Sequence, residues 1–290
     1  MTRREFLAAA GAAASAQAAA PARPQICVFS KHLAQLDYNQ LGQAAHEMGF
    51  DGVDLTVRPG GHVAPERVAT DLPRAVEAIR SHGVAVPLIT TSITSAGDAA
   101  TRAILSTAGR LKIPYYKLGY WQFGAADPEA DIARVRNEVE RLVALGRDCG
   151  ITAGFHNHSG NYVGYEVRDV RTIIAGLDPR AIGFYFDAAH ATIEGGLEGW
   201  EMAQRIALKQ VKLAAMKDFS WEKTSTGWDV RWQPLGRGMV NWRKVLAAYA
   251  AAHFAGPMSI HVEYEPEDAI PATRRDLEFL RKQIGEAYRA

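Results

Sequence analysis

Short apolar runs rich in β-branched and aromatic residues alternate with amphipathic helical patterns along most of this chain. This alternation restricts the fold strongly, because strands that alternate with helices form parallel sheets joined by right-handed crossovers. Eight runs have the pattern of strands, at residues 26–30, 52–56, 84–89, 115–118, 151–155, 182–186, 211–216 and 258–262. Helical patterns occur at residues 38–48, 73–82, 98–111, 128–149, 168–176, 198–207, 241–252 and 268–287. Eight repeats in a chain of 290 residues predict a closed (β/α)8 barrel, the TIM barrel, which usually takes about 250 residues.

A doubly wound open sheet is the alternative arrangement for the same alternation. Its phosphate-binding fingerprint is a Gly-rich turn directly after the first strand, whereas this chain has Ser30-Lys31-His32-Leu33 at that place. The sequence therefore favours the barrel. One irregular stretch, residues 218–239, is rich in Trp, Gly and polar residues, and it predicts a long loop or hairpin over the mouth of the barrel.

The first 22 residues differ from the rest of the chain. A basic pair, Arg3-Arg4, precedes Phe6-Leu7 and a weakly apolar Ala run with small-residue cleavage positions, which is typical of an export signal. The order Thr-Arg-Arg-x-Phe-Leu resembles the twin-arginine class, and a plain Ala-rich tail is the alternative. We therefore expect a signal at residues 1–22, a barrel domain at residues 23–290, and a mature protein that is periplasmic or secreted.

Charge and composition restrict the partners of the chain. It has 33 basic and 32 acidic residues, a formal net charge of +1, whereas nucleic-acid and membrane-surface binders normally carry a basic excess. No run is long and apolar enough for a convincing membrane span. We therefore expect a small-molecule substrate and no nucleic-acid or membrane partner, while a homo-oligomer is compatible with the sequence. Cys27 and Cys149 are expected to be packed thiols rather than a disulfide.

Polar side chains are concentrated where the predicted strands end. Catalytic residues of such barrels lie at the C-terminal ends of the strands and on the loops that follow. The strand ends carry Asp54, Arg58 and His62 (second strand), Lys117, Tyr120 and Trp121 (fourth), His156 and His158 (fifth), Asp187 and His190 (sixth), Lys217 and Asp218 (seventh), and His261 and Glu263 (eighth). Because adjacent parallel strands end at one mouth, these groups are expected to converge. Imidazoles beside carboxylates suit Zn²⁺, Mn²⁺ or Fe²⁺ better than Mg²⁺ or Ca²⁺.

Each of these elements has a plainer explanation when it is taken alone. A single strand-end histidine such as His62 or His261 usually satisfies a loop carbonyl. The pair Asp187 and His190 is compatible with a simple turn, and Lys217-Asp218 with a surface ion pair. Four successive strands with such ends favour a functional site over four unrelated structural details.

Five motifs carry a family resemblance that covers nearly all of the chain after residue 22. They are Phe155-His156-Asn157-His158, Asp187-Ala188-Ala189-His190, Met216-Lys217-Asp218, the Pro-Leu-Gly-Arg-Gly-Met-Val segment at residues 234–240, and His261-Val262-Glu263. The chain resembles the sugar phosphate isomerase/epimerase family of the xylose-isomerase-like barrel superfamily, which also includes the endonuclease IV type DNA-repair enzymes. The motifs are specific for the family and say little about the substrate.

The resemblance implies a divalent metal, Mn, Zn, Co or Mg, held by residues from the last four strands. Asp187 and Glu263 occupy metal-ligand positions, His156 stands where many members have Glu, and His190 is a further candidate ligand. The chain departs from the pattern at Ala215, because many relatives have His at this position. A reduced site that binds metal weakly, or does not bind it, is the alternative.

The resemblance also implies proton transfer on a sugar or sugar-derived ketone. The metal would polarise a carbonyl as a Lewis acid, and the enediolate would be bound as its charge forms. Glu263 is the expected base, with His158 and Lys217 as further catalytic groups. The residues expected to bind substrate are His190, Arg58, His62, Trp121, Arg237 and His261.

Isomerisation, epimerisation and β-elimination share this first step, so the residues do not choose among them. Because sugar phosphates are mostly cytoplasmic, an exported chain favours free, oxidised or glycosidic sugars, and a lyase or hydrolase of 3-keto-glycosides is an alternative. A non-catalytic sugar-binding barrel is another, since Ala215 removes an expected ligand. An endonuclease IV type enzyme is disfavoured by the near-zero charge.

Overall fold

Eight parallel strands close into a barrel in the computed structural model, which describes residues 23–124 and 127–289. The barrel strands are β1 (Ile26–Phe29), β2 (Gly52–Val57), β3 (Ala85–Thr91), β4 (Tyr115–Lys117), β5 (Thr152–His156), β6 (Ile182–Asp187), β7 (Val211–Met216) and β10 (Met258–Ile260). Neighbours in the sheet follow chain order, and β1 closes the barrel by pairing with both β2 and β10. The predicted (β/α)8 barrel is confirmed. The predicted export signal, residues 1–22, lies outside the described residues.

Eight helices surround the strands within the described ranges: α1 (Tyr38–Met48), α2 (Val68–Ser81), α3 (Ala99–Arg110), α4 (Pro128–Cys149), α5 (Val167–Ile174), α6 (Ala188–Ala207), α7 (Trp242–Ala251) and α8 (Ala269–Ala287). Helix α4 has the predicted ends, since the side chain of Asp127 accepts from the Glu129 N–H and Gly150 takes a left-handed conformation, φ 72°. None of the described helices combines the length and the apolar character that crossing a membrane requires.

Helix α6 begins much earlier than the sequence predicted. The helical pattern indicated residues 198–207, but the helix follows β6 directly and is kinked at Gly196, where φ is 61°. The non-helical conformation of Gly196 divides the helix, and the predicted range corresponds to the segment after this kink. As a consequence, Asp187 is both the last residue of β6 and the N-cap of α6.

The interior of the barrel has an apolar layer below a polar one. Alternate strand residues point inward, and Cys27, Leu88, Tyr185, Leu213 and Ala215 form a small buried cluster separate from the main core. The other faces of the strands pack against the helices in the main core. Burial raises the pKa of the Cys27 thiol well above its ordinary value. Towards the C-terminal ends of the strands the interior becomes polar, and this layer forms the candidate site.

A two-stranded antiparallel hairpin, β8 (Asp218–Lys223) and β9 (Trp228–Gln233), follows β7. It confirms the hairpin alternative for residues 218–239. The carboxylate of Asp218 holds it in place by accepting from the N–H groups of Phe219, Gly236 and Val240 and from the Trp242 indole, at 2.9–3.1 Å. Asp218 is therefore a buried anchor and not half of a surface ion pair.

Candidate active site

The side chain of Asp187 is the centre of the polar layer. It is fully buried, and its Oδ1 accepts the His190 N–H at 3.0 Å, which is a normal N-cap interaction. Its Oδ2 contacts three further groups: His156 Nε2 at 3.1 Å, Lys217 Nζ at 3.2 Å and His190 Nε2 at 3.8 Å. The Asp187-x-x-His190 motif is thus a helix start and part of a polar cluster at the same time.

Lys217 brings a buried ammonium group into this cluster. It follows β7 on the same inward face as Ala215, and Ala215 is paired in register with Asp187. Its Nζ donates to His190 Nε2 at 2.7 Å and lies 4.8 Å from the centre of the Trp232 ring on the hairpin. The lysine is 3% exposed, so it is held by an acid, an imidazole and an aromatic ring.

The two imidazoles that flank Asp187 have their other ring nitrogens bonded as well. Tyr120 Oη lies 2.8 Å from His156 Nδ1, and Ser159 Oγ lies 2.8 Å from His190 Nδ1. Burial lowers the pKa of both histidines well below the ordinary value, and Lys217 lowers it further. Both imidazoles are therefore neutral at pH 7.

A polar cavity of about 120 Å³ opens beside this cluster at the mouth of the barrel. Its lining residues are Phe29, Lys31, Arg58, Thr90, Lys117, Tyr120, His156, His158, Tyr185, Lys217, His261 and Glu263. Larger hollows between surface helices exist, but this cavity coincides with the strand ends and collects the perturbed titratable groups, which favours it as the active site.

Glu263 and His158 are two of the groups on this cavity with the chemistry of a base. Glu263 Oε2 accepts from Lys31 Nζ at 2.8 Å. Burial raises the pKa of Glu263, but Lys217 and Lys31 together outweigh this effect and the net shift is downward. Burial lowers the pKa of His158 to about 4, with Lys217 contributing, so its imidazole is neutral and can accept a proton.

A second buried carboxylate, Asp54, lies inside the barrel; it is one of the predicted strand-end groups but had no predicted role. It accepts from Thr90 Oγ1 at 2.7 Å, Ser259 Oγ at 2.8 Å and Tyr185 Oη at 3.3 Å. Burial raises its pKa to about 6, although these three hydroxyl donors lower it in part. Tyr185 Oη also lies 3.1 Å from His261 Nε2, so Asp54 is linked through Tyr185 to a cavity residue.

The predicted site residues fall into two groups. The structure brings together His156, His158, Asp187, His190, Lys217, His261, Glu263 and Arg58 at or directly behind the cavity. Trp121 is buried, donates its indole N–H to Thr94 O and stacks on Phe155. His62 is held by Thr56 through its ring and its backbone N–H, and Arg237 is exposed on the 234–240 loop. None of these last three side chains lines the cavity.

Sequence reasoning missed Lys31 and Tyr185, and it assigned no role to the strand-end residue Asp54. Lys31 stands in the Ser30-Lys31-His32-Leu33 segment. This segment was informative only about the fold, because it lacks a Gly-rich turn, and nothing in it indicated a role for the lysine. Asp54 gave a usable signal, because an unpaired carboxylate between Val53 and Leu55 in a buried strand requires partners. Tyr185 gave none, since an aromatic residue in a strand is ordinary core.

The metal expectation can be tested against these contacts. His156, Asp187 and His190 each place a ligand atom within 4.8 Å of the others, so a group that could hold a metal ion is present among the described residues. The Lys217 ammonium already contacts two of the three, and a divalent cation at such distances would repel it. Glu263 is paired with Lys31, and Ala215 offers no ligand. As the side chains stand, they do not fit a resident metal ion.

The fold and the site together define an α/β-barrel protein with a buried polar cavity at the C-terminal ends of its strands. The chain belongs to the xylose isomerase-like TIM barrel family, whose sequence profile matches residues 43–283. The comparison with curated proteins gives no match.

Solved structures share the fold at low sequence identity. The chain is similar to 3-keto-D-glucoside 4-epimerase YcjR from E. coli, with a TM-score of 0.71, 15% identity, and coverage of 90% of this chain and 100% of that one. It is similar to an L-ribulose 3-epimerase, with a TM-score of 0.70, 15% identity, and coverage of 92% and 96%. It is also similar to the probable 3-DHS dehydratase AsbF from Bacillus anthracis, with a TM-score of 0.70, 14% identity, and coverage of 89% and 98%.

Proposed function

We propose that this chain is an isomerase or epimerase that acts on a sugar or keto-sugar by removing a proton next to a carbonyl group. The observation that carries the proposal is the cavity itself, where a carboxylate (Glu263), a neutral imidazole (His158) and an ammonium group (Lys217) face one space. Removal of such a proton requires a base and a group that stabilises the enediolate oxygen. Two of the similar structures are named as sugar epimerases, which supports the choice of substrate class.

The enediolate charge has two candidate stabilisers at this site. A divalent ion, Mn, Zn, Co or Mg, is expected from the family resemblance, and His156, Asp187 and His190 would hold it if Lys217 moved away. The ammonium of Lys217 is the other candidate, and it already lies on the cavity.

A lyase that acts on 3-keto-glycosides is the second candidate function. It would share the first step and then expel a β-substituent instead of returning the proton. The similarity to a structure named as a probable dehydratase supports this alternative, because dehydration is also an elimination. If residues 1–22 direct export, the substrate would be a free, oxidised or glycosidic sugar rather than a sugar phosphate.

Hydrogen exchange with solvent tests the shared first step without knowledge of the product. The protein is incubated in D₂O with a methyl 3-keto-glucoside, D-psicose or L-ribulose, and NMR follows the proton beside the carbonyl. We expect loss of this signal, slowed about 100- to 1000-fold in Glu263→Gln and in Asp187→Asn. Glu198→Gln, on the exposed face of α6, is the matched control. Full activity in either site variant would contradict the assignment, and binding without exchange would indicate a sugar-binding barrel.

A further inference from the structure

We infer that the ammonium group of Lys217 takes the place of the metal ion at this site and supplies the positive charge that polarises the substrate carbonyl. The inference rests on the proposed function for its substrate chemistry. The structural basis of the inference does not depend on the proposed function. It consists of the atoms that already surround the His156, Asp187 and His190 group.

The ligand atoms of this group are all committed to other bonds. The Asp187 carboxylate can only accept, so His156 Nε2 carries the ring proton and donates to Oδ2, and the other ring nitrogen, Nδ1, accepts from the Tyr120 hydroxyl. His190 Nε2 accepts from Lys217, and its Nδ1–H donates to Ser159. A metal ion requires a free lone pair on the imidazole nitrogen that binds it, here Nε2 of each histidine. One of these nitrogens is protonated and the other is already occupied by the lysine.

The orientation of the group also assigns the contact with substrate to the lysine. Lys217 lines the cavity, whereas Asp187 and His190 are fully buried and are absent from its wall. Asp187 and His190 therefore contact the ammonium from behind, and Trp232 covers its side. A carbonyl oxygen in the cavity would meet Lys217 and not the carboxylate of Asp187.

The charge of the cavity wall supports the same assignment. Lys31, Arg58 and Lys217 line it, against a single carboxylate from Glu263. Lys117 also lines it, but burial lowers the pKa of this lysine well below its ordinary value, so it is not counted as a charge. A divalent cation would add to the existing excess of positive charge on the cavity wall. An enediolate would instead bring negative charge into the cavity. The wall is suited to stabilise an anionic intermediate with its own side chains.

The proposed step uses only groups on the cavity and balances without a co-reactant. The Glu263 carboxylate takes the proton from the carbon beside the carbonyl, and the electron pair of that C–H bond forms the new C=C bond. The carbonyl π pair moves to oxygen, which becomes the enediolate oxygen and accepts an N–H bond from Lys217. Return of this proton by Glu263 to the former carbonyl carbon, with transfer of the proton of the adjacent hydroxyl to the enediolate oxygen, re-forms a C=O bond at the neighbouring carbon and completes an isomerisation. In an epimerisation, the carbonyl re-forms as a proton from solvent reaches the opposite face of the first carbon, and Glu263 then releases its proton to solvent.

Two measurements test the inference. Wild-type protein freed of metal by a chelator is expected to exchange deuterium at an undiminished rate, and Lys217→Ala is expected to slow it about 100- to 1000-fold. Lys209→Ala, an exposed lysine after α6, serves as the control. Abolition of exchange by the chelator, with recovery on adding the metal, would overturn the inference. An unchanged rate in Lys217→Ala would do the same.

Calorimetric titration with Zn²⁺ alone separates this inference from the proposed function. Removing the lysine frees His190 Nε2 and Asp187 Oδ2, and His156 can join them once its ring proton moves to Nδ1 and is donated to Tyr120 Oη. We therefore expect Lys217→Ala to bind Zn²⁺ at least 100-fold more tightly than wild type. The gain is expected to disappear when Asp187→Asn is added. Equal Zn²⁺ affinity in wild type and Lys217→Ala would overturn the inference. If no ketose exchanges but the affinities differ as expected, the proposed function fails and the place of Lys217 stands.

Discussion

Asp54 shows at the scale of a single residue how the barrel interior changes the chemistry of a side chain. Its carboxyl group is 0% exposed and has three hydroxyl donors, but no lysine or arginine within ion-pair distance among the described residues. Burial dominates, and the pKa rises from 3.8 to about 6. The proton is therefore bound more tightly in the native state than in the unfolded chain.

This shift predicts a pH dependence of stability. Between about pH 4 and pH 6 the native state holds the Asp54 proton that the unfolded chain releases, so the free energy of unfolding falls as pH rises, by about 3 kcal/mol in total. Asp54→Asn should remove this component. Urea denaturation across this range measures it, with the exposed Asp229→Asn as the control. A wild-type minus Asp54→Asn difference that is constant from pH 4 to pH 7 would contradict the prediction.

The same scale shows what the sequence could and could not reveal about the site. Convergence of His156, Asp187, His190 and Lys217 was predictable, because parallel strand ends meet at one mouth. The direction in which a side chain points, beyond the last residue paired in a strand, was not predictable. Trp121 stacks on Phe155. Glu263, a predicted metal ligand, pairs with Lys31. Both orientations depend on packing between segments that are distant in the sequence.

At the scale of elements, the hairpin is fastened to the barrel by the 234–240 loop. Asp218 accepts N–H groups from this loop, and a side chain on Gly238 would overlap Asp218 Oδ1 and Phe219 O. The Gly-Arg-Gly part of the motif therefore has a steric cause. The hairpin in turn places Trp232 beside Lys217 and His190.

Gly238→Ala is accordingly expected to lower the free energy of unfolding by about 1–3 kcal/mol, because the backbone on both sides must shift. Deuterium exchange should fall as well, since the shift reaches Trp232. Gly199→Ala is the matched control. It lies in α6 with open space around it, and should be neutral or stabilising by up to about 1 kcal/mol. Urea denaturation of the three proteins gives the comparison, and equal stability of both variants would disprove the steric explanation.

At the scale of the whole molecule, the barrel was predictable because its alternation repeats along the chain, and each strand lies where an apolar run indicated. The boundaries that failed, as at α6, are where a kink joins two segments. The division into residues 1–22 and 23–290 remains a proposal. Within the described residues, the first barrel strand begins at Ile26.

Two expectations follow for the division of the chain. Replacing Arg3-Arg4 by Lys-Lys should retain the protein in the cytoplasm of a bacterium with twin-arginine transport, as measured by cell fractionation. A chain of residues 23–290 should unfold at the same temperature as the full chain, within about 2 °C. Export of the Lys-Lys variant would refute the proposed signal, and a large loss of thermal stability would refute the domain boundary.

The pairing of β1 with β10 has a consequence for biosynthesis. Ile26 pairs with Met258, so the sheet cannot close until the last barrel strand, β10, has been synthesised. Until then β1 has one neighbour, β2, and an open edge able to pair with other chains. A nascent chain that stalls before residue 258 would thus present two unpaired edges, and chaperone dependence during synthesis should end only when β10 has emerged.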